Sequence, residues 1–347
     1  MNRVAAMLAE NDVVLAPMAG VTEAPFRAIC KRMGAGLTYT EMVSAKGLHY
    51  NPDGRHARAL LAFAPDETPV AVQLFGAEPE MMAAQAARIL ELYGDDVALL
   101  DINMGCPVAK VVAKGEGSAL MRTPTLAADI VSAVVGAAGQ TPVTVKIRAG
   151  WDTQSVNAPE FARTMQEAGA SAVAVHGRTR GQFYRGRADW EVVARVKEAL
   201  GVPVLGSGDV FSADDVVDMF GRTGVDGVMV ARGAQGNPWI FREARALIDT
   251  GERIPRPGRL ERVDMAREHA AALVATGGER AFVRMRKHVA WYIAEMPGAS
   301  HVRSRVNGCT DYAQLDAVLV EYREWLVRGA PVDATAAPGG STQESAT

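Results

Sequence analysis

A chain of 347 residues with 48% hydrophobic and 22% charged residues has the make-up of an ordinary soluble globular protein, long enough for one large domain and a smaller one. Its formal net charge of −3 excludes a uniformly basic nucleic-acid binder while leaving room for a local basic face. Three cysteines, Cys30, Cys106 and Cys309, lie far apart without a Cys-x-x-Cys pair, which argues against a disulfide scaffold or a structural zinc site and fits a reducing compartment.

The opening MNRVAAMLAENDVV is too short and too polar for a signal peptide. No run of about 18 apolar residues follows, so no membrane span is expected and the protein is expected to be cytoplasmic. Eight short, largely apolar runs then read as strands: 13–17, 37–42, 70–75, 98–103, 143–148, 172–177, 202–209 and 226–231. Helical patterns separate most of them, such as 79–93, 158–170, 190–200 and 212–220, the last with Ser212 as a predicted N-cap. Continuous apolar strands suit a parallel sheet buried on both faces. Eight β/α units over about 250 residues predict a (β/α)8 TIM barrel, an α/β fold. A doubly wound sheet is the weaker alternative, since LAPMAGVTEAP lacks a G-x-G-x-x-G turn. The barrel is expected to occupy 1–252, with a linker at 253–259 (RIPRPGR). Residues 260–328 show only helical patterns and read as an all-helical domain, and the tail 329–347 lacks large apolar residues and is expected to be disordered.

In a barrel, chemistry belongs at the C-terminal strand ends. The unusual residues gather there: Ala16-Pro17-Met18 after the first run, Gln73 on the third, Asn103 and Cys106 at and beyond the fourth, and Lys146 and Arg148 on the fifth. His176 and Arg178 follow the sixth run, Ser207-Gly208-Asp209 the seventh and Ala231-Arg232 the eighth. Glycine-rich ends at the last two strands favour a phosphate site over simple turns. Lys146 either faces outward or joins Gln73 in holding the polar edge of a heterocycle. His176 alone reads as structural, but neighbouring Arg178 and Arg180 tilt it toward an anion. An unperturbed thiol is mostly protonated near pH 7, so Cys106 suits a proton donor better than a waiting nucleophile. Cys30 reads as core on an apolar helix face, and Cys309 as a loop residue without a role. In the helical region, Arg280, Arg284, Arg286, Lys287, Arg303 and Arg305 form a basic cluster near His288 and His301, either a solvated face or an RNA surface.

Taken in order, LAPMAGVTEAPFR, INMGCPVAKVVAKGEGSALM, VKIRAGWD, HGRTRGQFYRGRADW, GNPWIF and MRKHVAWYIAEMPGA resemble the tRNA-dihydrouridine synthases, most of all their bacterial B-type branch. The resemblance runs from about Val13 into the helical region. It implies an FMN-containing barrel with a helical tRNA-binding domain that reduces the C5–C6 bond of particular tRNA uridines with NADPH. Position by position, it implies that Ala16, Pro17 and Met18 line the flavin ring and that Gln73 and Lys146 bind its polar edge. His176, Ser207, Gly208, Asp209, Ala231 and Arg232 would surround the phosphate, Asn103 would hold the uracil, and Cys106 would be the general acid to C5. Arg178, Arg284, Arg286 and Lys287 would contact tRNA. The family generally has Gly-Asn-Gly-Asp where this chain has Ser207, and often Gly-Arg where it has Ala231-Arg232. Backbone-based phosphate contacts should tolerate both changes. A monomer without a metal is expected. Two other readings are an FMN barrel acting on a small pyrimidine, similar to dihydroorotate dehydrogenases, and a non-catalytic RNA-binding barrel. The helical domain argues against the first, and Cys106, Lys146 and His176 against the second.

Overall fold

The computed structural model describes residues 2–329. The expected disordered tail therefore lies outside the described residues, apart from Gly329. The chain forms two compact units, one of Met1–Ala234 with Ile240–Ile254 and the other of Gln235–Trp239 with the chain from Pro255 onward. The second unit thus recruits a short segment that precedes the RIPRPGR stretch.

The first unit is a TIM barrel. Its strands are β1 (Val13–Leu15), β2 (Val43–Ser44), β3 (Val70–Phe75), β4 (Val97–Met104), β5 (Val143–Arg148), β6 (Ala172–His176), β7 (Val204–Ser207) and β8 (Gly227–Val230). All neighbouring pairs are parallel, in the order β1-β8-β7-β6-β5-β4-β3-β2. The remaining gap closes through single bridges, Leu15 to Thr38 and Tyr39 to Ala71. The run expected as a strand at 37–42 is therefore split. Thr40 uses its side-chain oxygen to accept the backbone N–H of Gln73 (3.1 Å), and the Glu41 carboxylate turns away to take the N–H of Gly20. Regular pairing resumes at β2.

Every residue of β1, β4, β6, β7 and β8 is buried, which is why these strands read as unbroken apolar runs. Small side chains (Ala71, Ala98, Ala172, Ala174) pack inside with Val14, Leu205 and Met229, and Val4 and Leu8 of the helix Arg3–Glu10 join the same cluster. The outer helices bury one stripe each: Pro79–Tyr93 buries Met82, Ala86 and Ile89, the i, i+4, i+7 face of an amphipathic helix. Ser212 caps its helix as expected, accepting from the N–H of Asp215 at 3.1 Å.

The second unit is helical among its described residues, built on Arg259–Gly277, Phe282–Tyr292, Ala299–Gly308 and Tyr312–Val327. Val263, Ala266, Leu273, Met285, Val289 and Leu319 are buried in it. Two ion pairs, Arg267–Asp316 (2.8 Å) and Arg323–Asp264 (2.6 Å), tie its first helix to its last. No helix among the described residues is long and apolar enough to cross a membrane.

Candidate active site

The C-terminal mouth of the barrel carries a continuous chain of hydrogen bonds between neighbouring strands. Thr144 on β5 donates its hydroxyl to Asp101 on β4 (2.6 Å), and Gln73 on β3 donates its amide N–H to the other oxygen of the same carboxylate (2.6 Å). The Gln73 carbonyl accepts from the amide of Asn103 (2.8 Å). The Asn103 carbonyl accepts from the backbone N–H groups of Gly105 (3.1 Å) and Cys106 (2.9 Å). A carboxylate only accepts, so Asp101 orients the Gln73 amide, and Gln73 in turn orients Asn103. These residues sit at alternate positions on their strands and so share the inner face. Burial raises the Asp101 carboxyl to about 6, against the lowering effect of its two hydrogen bonds and of Lys146.

Lys146 lies on the same face of β5 as Thr144. It is half-buried, and its ammonium makes no hydrogen bond among the described residues. Burial, with Arg148 nearby, lowers it to about 8. Inward-facing is thus the reading of Lys146 that the strand register supports.

Cys106 is half-buried on the loop leaving β4. Its carbonyl accepts from the N–H (3.1 Å) and hydroxyl (2.9 Å) of Ser118. A Cβ at Gly117, where φ is +60°, would approach that carbonyl to 2.9 Å, so only glycine lets the two loops meet so closely. Arg148 donates from Nε to the carbonyl of Gly105 (2.8 Å) and from one terminal nitrogen to the carbonyls of Thr179 and Phe183 (both 2.9 Å). Burial raises the thiol above its ordinary value, partly offset by the N–H of Val108 and by Arg148 and Lys110.

Across the mouth, Asp209 joins two arginines. Its carboxylate accepts from Arg178 (2.7 Å), from the N–H of Ala188 (2.7 Å) and from Arg232 (3.3 Å). The Arg232 guanidinium lies over the rings of Tyr184 (4.9 Å) and Phe211 (5.3 Å). Arg178 is 2% exposed and one of its terminal nitrogens is buried without a hydrogen-bond partner among the described residues. The family resemblance implies a tRNA contact for Arg178, whereas its bonds to Asp209 and to the carbonyls of Arg185 and Gly186 hold it inside. His176 beside it is held well below its ordinary value by burial and by Lys146, Arg148, Arg178 and Arg232, so the ring is neutral. A Cβ at Gly208, with φ of +114°, would come within 2.7 Å of that ring. Ser207 is buried, and its backbone carbonyl accepts from the N–H of Gly177 (3.1 Å).

Ala16, Pro17 and Met18 follow β1, and Ala16 bonds from its N–H to Val230 of β8 (2.8 Å). A buried ion pair steadies this loop. Arg27 makes two 2.8 Å bonds to Glu67 and donates to the carbonyls of Thr22 and Ala62 (both 2.7 Å). Removing one partner of such a pair typically costs about 3–5 kcal/mol.

A model of the family described as "Dihydrouridine synthase (Dus)" matches residues 14–324. The chain belongs to the dihydrouridine synthase family. It is 43% identical over 302 residues to "tRNA-dihydrouridine synthase B" of Pseudomonas aeruginosa, covering 87% of this chain and 89% of that protein. It is 44% identical over 321 residues to the protein of the same name in Xanthomonas campestris pv. campestris, covering 92% and 95%. A "Probable tRNA-dihydrouridine synthase 1" of Synechocystis is 40% identical over 308 residues, covering 88% and 84%. Among solved structures, histamine dehydrogenase from Rhizobium sp. 4-9 shares the fold, with a TM-score of 0.52 at 13% identity over 75% of this chain and 49% of that one. As a dihydrouridine synthase the chain is a flavin-dependent oxidoreductase.

Of the family-implied residues, Ala16, Pro17, Met18, Asn103, Cys106, His176, Ser207, Gly208, Asp209, Ala231 and Arg232 stand at or just past C-terminal strand ends of one barrel, and Gln73 and Lys146 lie inside β3 and β5, two residues before their ends. Asp101 and Thr144 escaped the sequence reading, although Asp101 lies two residues before Asn103 and so on the same strand face. In the helical unit, Arg284 is exposed, whereas Arg286 donates to the carbonyl of Cys309 (2.8 Å) and lies by the Phe282 ring (5.8 Å). Lys287 is half-buried and engaged with a partner. His288 is buried, and Cys309 lies, as expected, in the loop that follows the helix Ala299–Gly308, where it is the buried C-cap.

Proposed function

We propose that this chain reduces uridine to dihydrouridine in tRNA, with FMN held at the barrel mouth, NADPH as reductant and Cys106 as the general acid. The observation that carries the reading is a half-buried thiol on a pinned loop, its ionisation raised by burial, next to an amide oriented through Gln73 and Asp101. The donor set fits a flavin mononucleotide. Lys146 and the free N–H of Gln73 offer hydrogen bonds to a heterocycle edge, and the unpartnered nitrogen of Arg178 with Arg232 offers them to a phosphate. When bound in its reduced form, the flavin supplies a hydride to C6 of the uracil. Cys106 then delivers its proton to C5, and burial keeps that proton in place at neutral pH. The Asn103 carbonyl already accepts two backbone N–H groups, and its amide nitrogen donates to Gln73 and, weakly, to the Met42 sulfur at 3.7 Å, so a uracil oxygen would take the N–H that now faces that sulfur. The uridine reaches a barrel mouth only when flipped out of its stack.

The similar proteins from Pseudomonas and Xanthomonas carry the name tRNA-dihydrouridine synthase B, which supports tRNA as the substrate. In this reading the helical unit, 260–328, binds tRNA, and the enzyme works as a cytoplasmic monomer without a metal. The test is purified holoprotein, unmodified tRNA transcript and NADPH, with dihydrouridine mapped along the product, beside a map of tRNA from a strain lacking the gene. Dihydrouridine at defined positions in vitro, absent from the deletion strain, is expected. Turnover of free uridine or orotate without reduction of tRNA would overturn the reading.

A further inference from the structure

Beside the Cys106 loop lies a cleft of about 460 Å³, lined by Pro107 and Ala109 on one side and by Arg180, Phe183, Tyr184 and Arg185 on the other. It contains no acidic side chain. Phe183 and Tyr184 are 41% and 49% exposed, their rings edge to face at 5.1 Å. Phe183 has φ of +56°, a conformation that a bulky residue rarely adopts unless its surroundings impose it. Arg148 imposes it by binding the Phe183 carbonyl, and the same guanidinium holds Gly105 next to Cys106. Arg180 lies over the Trp151 ring at 4.7 Å, as Arg122 does at 4.8 Å, and its Nε is buried without a hydrogen-bond partner among the described residues. An exposed aromatic held in a strained turn, next to unneutralised guanidinium groups, is a stacking platform with a phosphate contact, the chemistry that binds single-stranded RNA.

We infer that this cleft seats the nucleotide adjoining the target uridine, its base on Phe183 and its phosphate at Arg180, so that the strand stays splayed while the uridine occupies the barrel mouth. The inference rests on the tRNA reading above. Its occupant follows from continuity, since Pro107 adjoins Cys106 in the chain, and from charge.

The test uses the holoenzyme and an unmodified tRNA transcript. F183A and F183G should raise KM for tRNA about tenfold, the scale of one lost base stack. The value of kcat at saturating tRNA and the flavin content should stay near wild type, and F183W should restore KM. Glycine accommodates the positive φ, so F183G separates loss of the ring from loss of the turn. A transcript made abasic beside the target uridine should raise KM for wild type and add little to F183A. Unchanged KM in both F183A and F183G, additive effects of the abasic transcript, or a rise confined to the KM for NADPH would each overturn the inference. If wild type makes no dihydrouridine in the same assay, the tRNA reading fails and this inference with it.

Discussion

Arg148 reaches from β5 to the carbonyl of Gly105, the residue immediately before Cys106, at 2.8 Å. Its other bonds go to the loop after β6, at Thr179 and Phe183. One guanidinium therefore sets the distance between two catalytic-face loops that have no strand pairing of their own. Burial lowers it to about 10, which leaves it charged at neutral pH. A lysine ammonium lacks the planar fork that serves both loops at once. Arg148→Lys should retain flavin but lose turnover by about tenfold to a hundredfold, since misplacement of about 1 Å near the chemistry costs that much. The rate of Cys106 alkylation should change in parallel, and a variant with wild-type kcat and alkylation rate would show that the clamp does not position the thiol.

The raised thiol sets a pH profile. If Cys106 is the general acid proposed above, its protonated form is the active one, and burial raises its ionisation above the ordinary thiol value, so turnover should be level through neutral pH and fall in alkali. Lys146 loses its charge at about 8 and can add a limb there. Cys106→Ala should keep flavin and tRNA binding and lose about a hundredfold or more of turnover, the scale of one general acid. Cys106→Ser, with a hydroxyl that does not ionise in this range, should be slow but lack the uppermost limb. Persistence of that limb in the serine variant would assign it elsewhere.

These dependences show which parts of the site were legible in the sequence. Gln73 and Lys146 stood out because a polar group inside an apolar run must find a partner or face a ligand. Asp101 carried the same signal but read as an ordinary strand residue. Its partners, Gln73 and Thr144, are 28 and 43 residues away and are brought to it only by the parallel register. The burial of Arg178 was hidden for a related reason: the partner that holds it inside, Asp209, lies 31 residues on. The eight runs and the helical region were legible because burial on both strand faces leaves a pattern in the sequence itself. The split second strand was not, since it depends on where the Glu41 and Thr40 side chains find donors.

Asp101 gives a stability test. Its folded value, about 6, lies above the ordinary carboxylate value of about 4, so between these limits the folded state holds more protons than the unfolded chain. The stability it contributes is fully present below about pH 4 and is lost as pH rises through about 6. Asp101→Asn should flatten that slope in thermal unfolding followed from pH 4 to 7. It should also weaken flavin binding, because the Gln73 amide no longer faces an acceptor-only group. An unchanged slope together with unchanged flavin affinity would remove Asp101 from the network.

The helical unit separates charge from structure within one helix. Arg284 is exposed, so Arg284→Glu should leave the melting temperature near wild type and weaken tRNA binding. Each lost phosphate contact lowers the slope of log K against log salt by about 0.7–0.9, and binding measured from 50 to 300 mM salt resolves that change. Arg286 is different: its guanidinium holds the Cys309 carbonyl at the end of the helix Ala299–Gly308. Arg286→Glu places a carboxylate against that carbonyl and leaves the acceptor unpaired, which costs about 1–3 kcal/mol. Its effect should therefore appear as a lowered melting temperature, with tRNA affinity falling only as folded protein is lost. If Arg284→Glu leaves both affinity and salt slope unchanged while Arg286→Glu abolishes binding at full stability, the phosphate contact belongs to Arg286 and not to the exposed face.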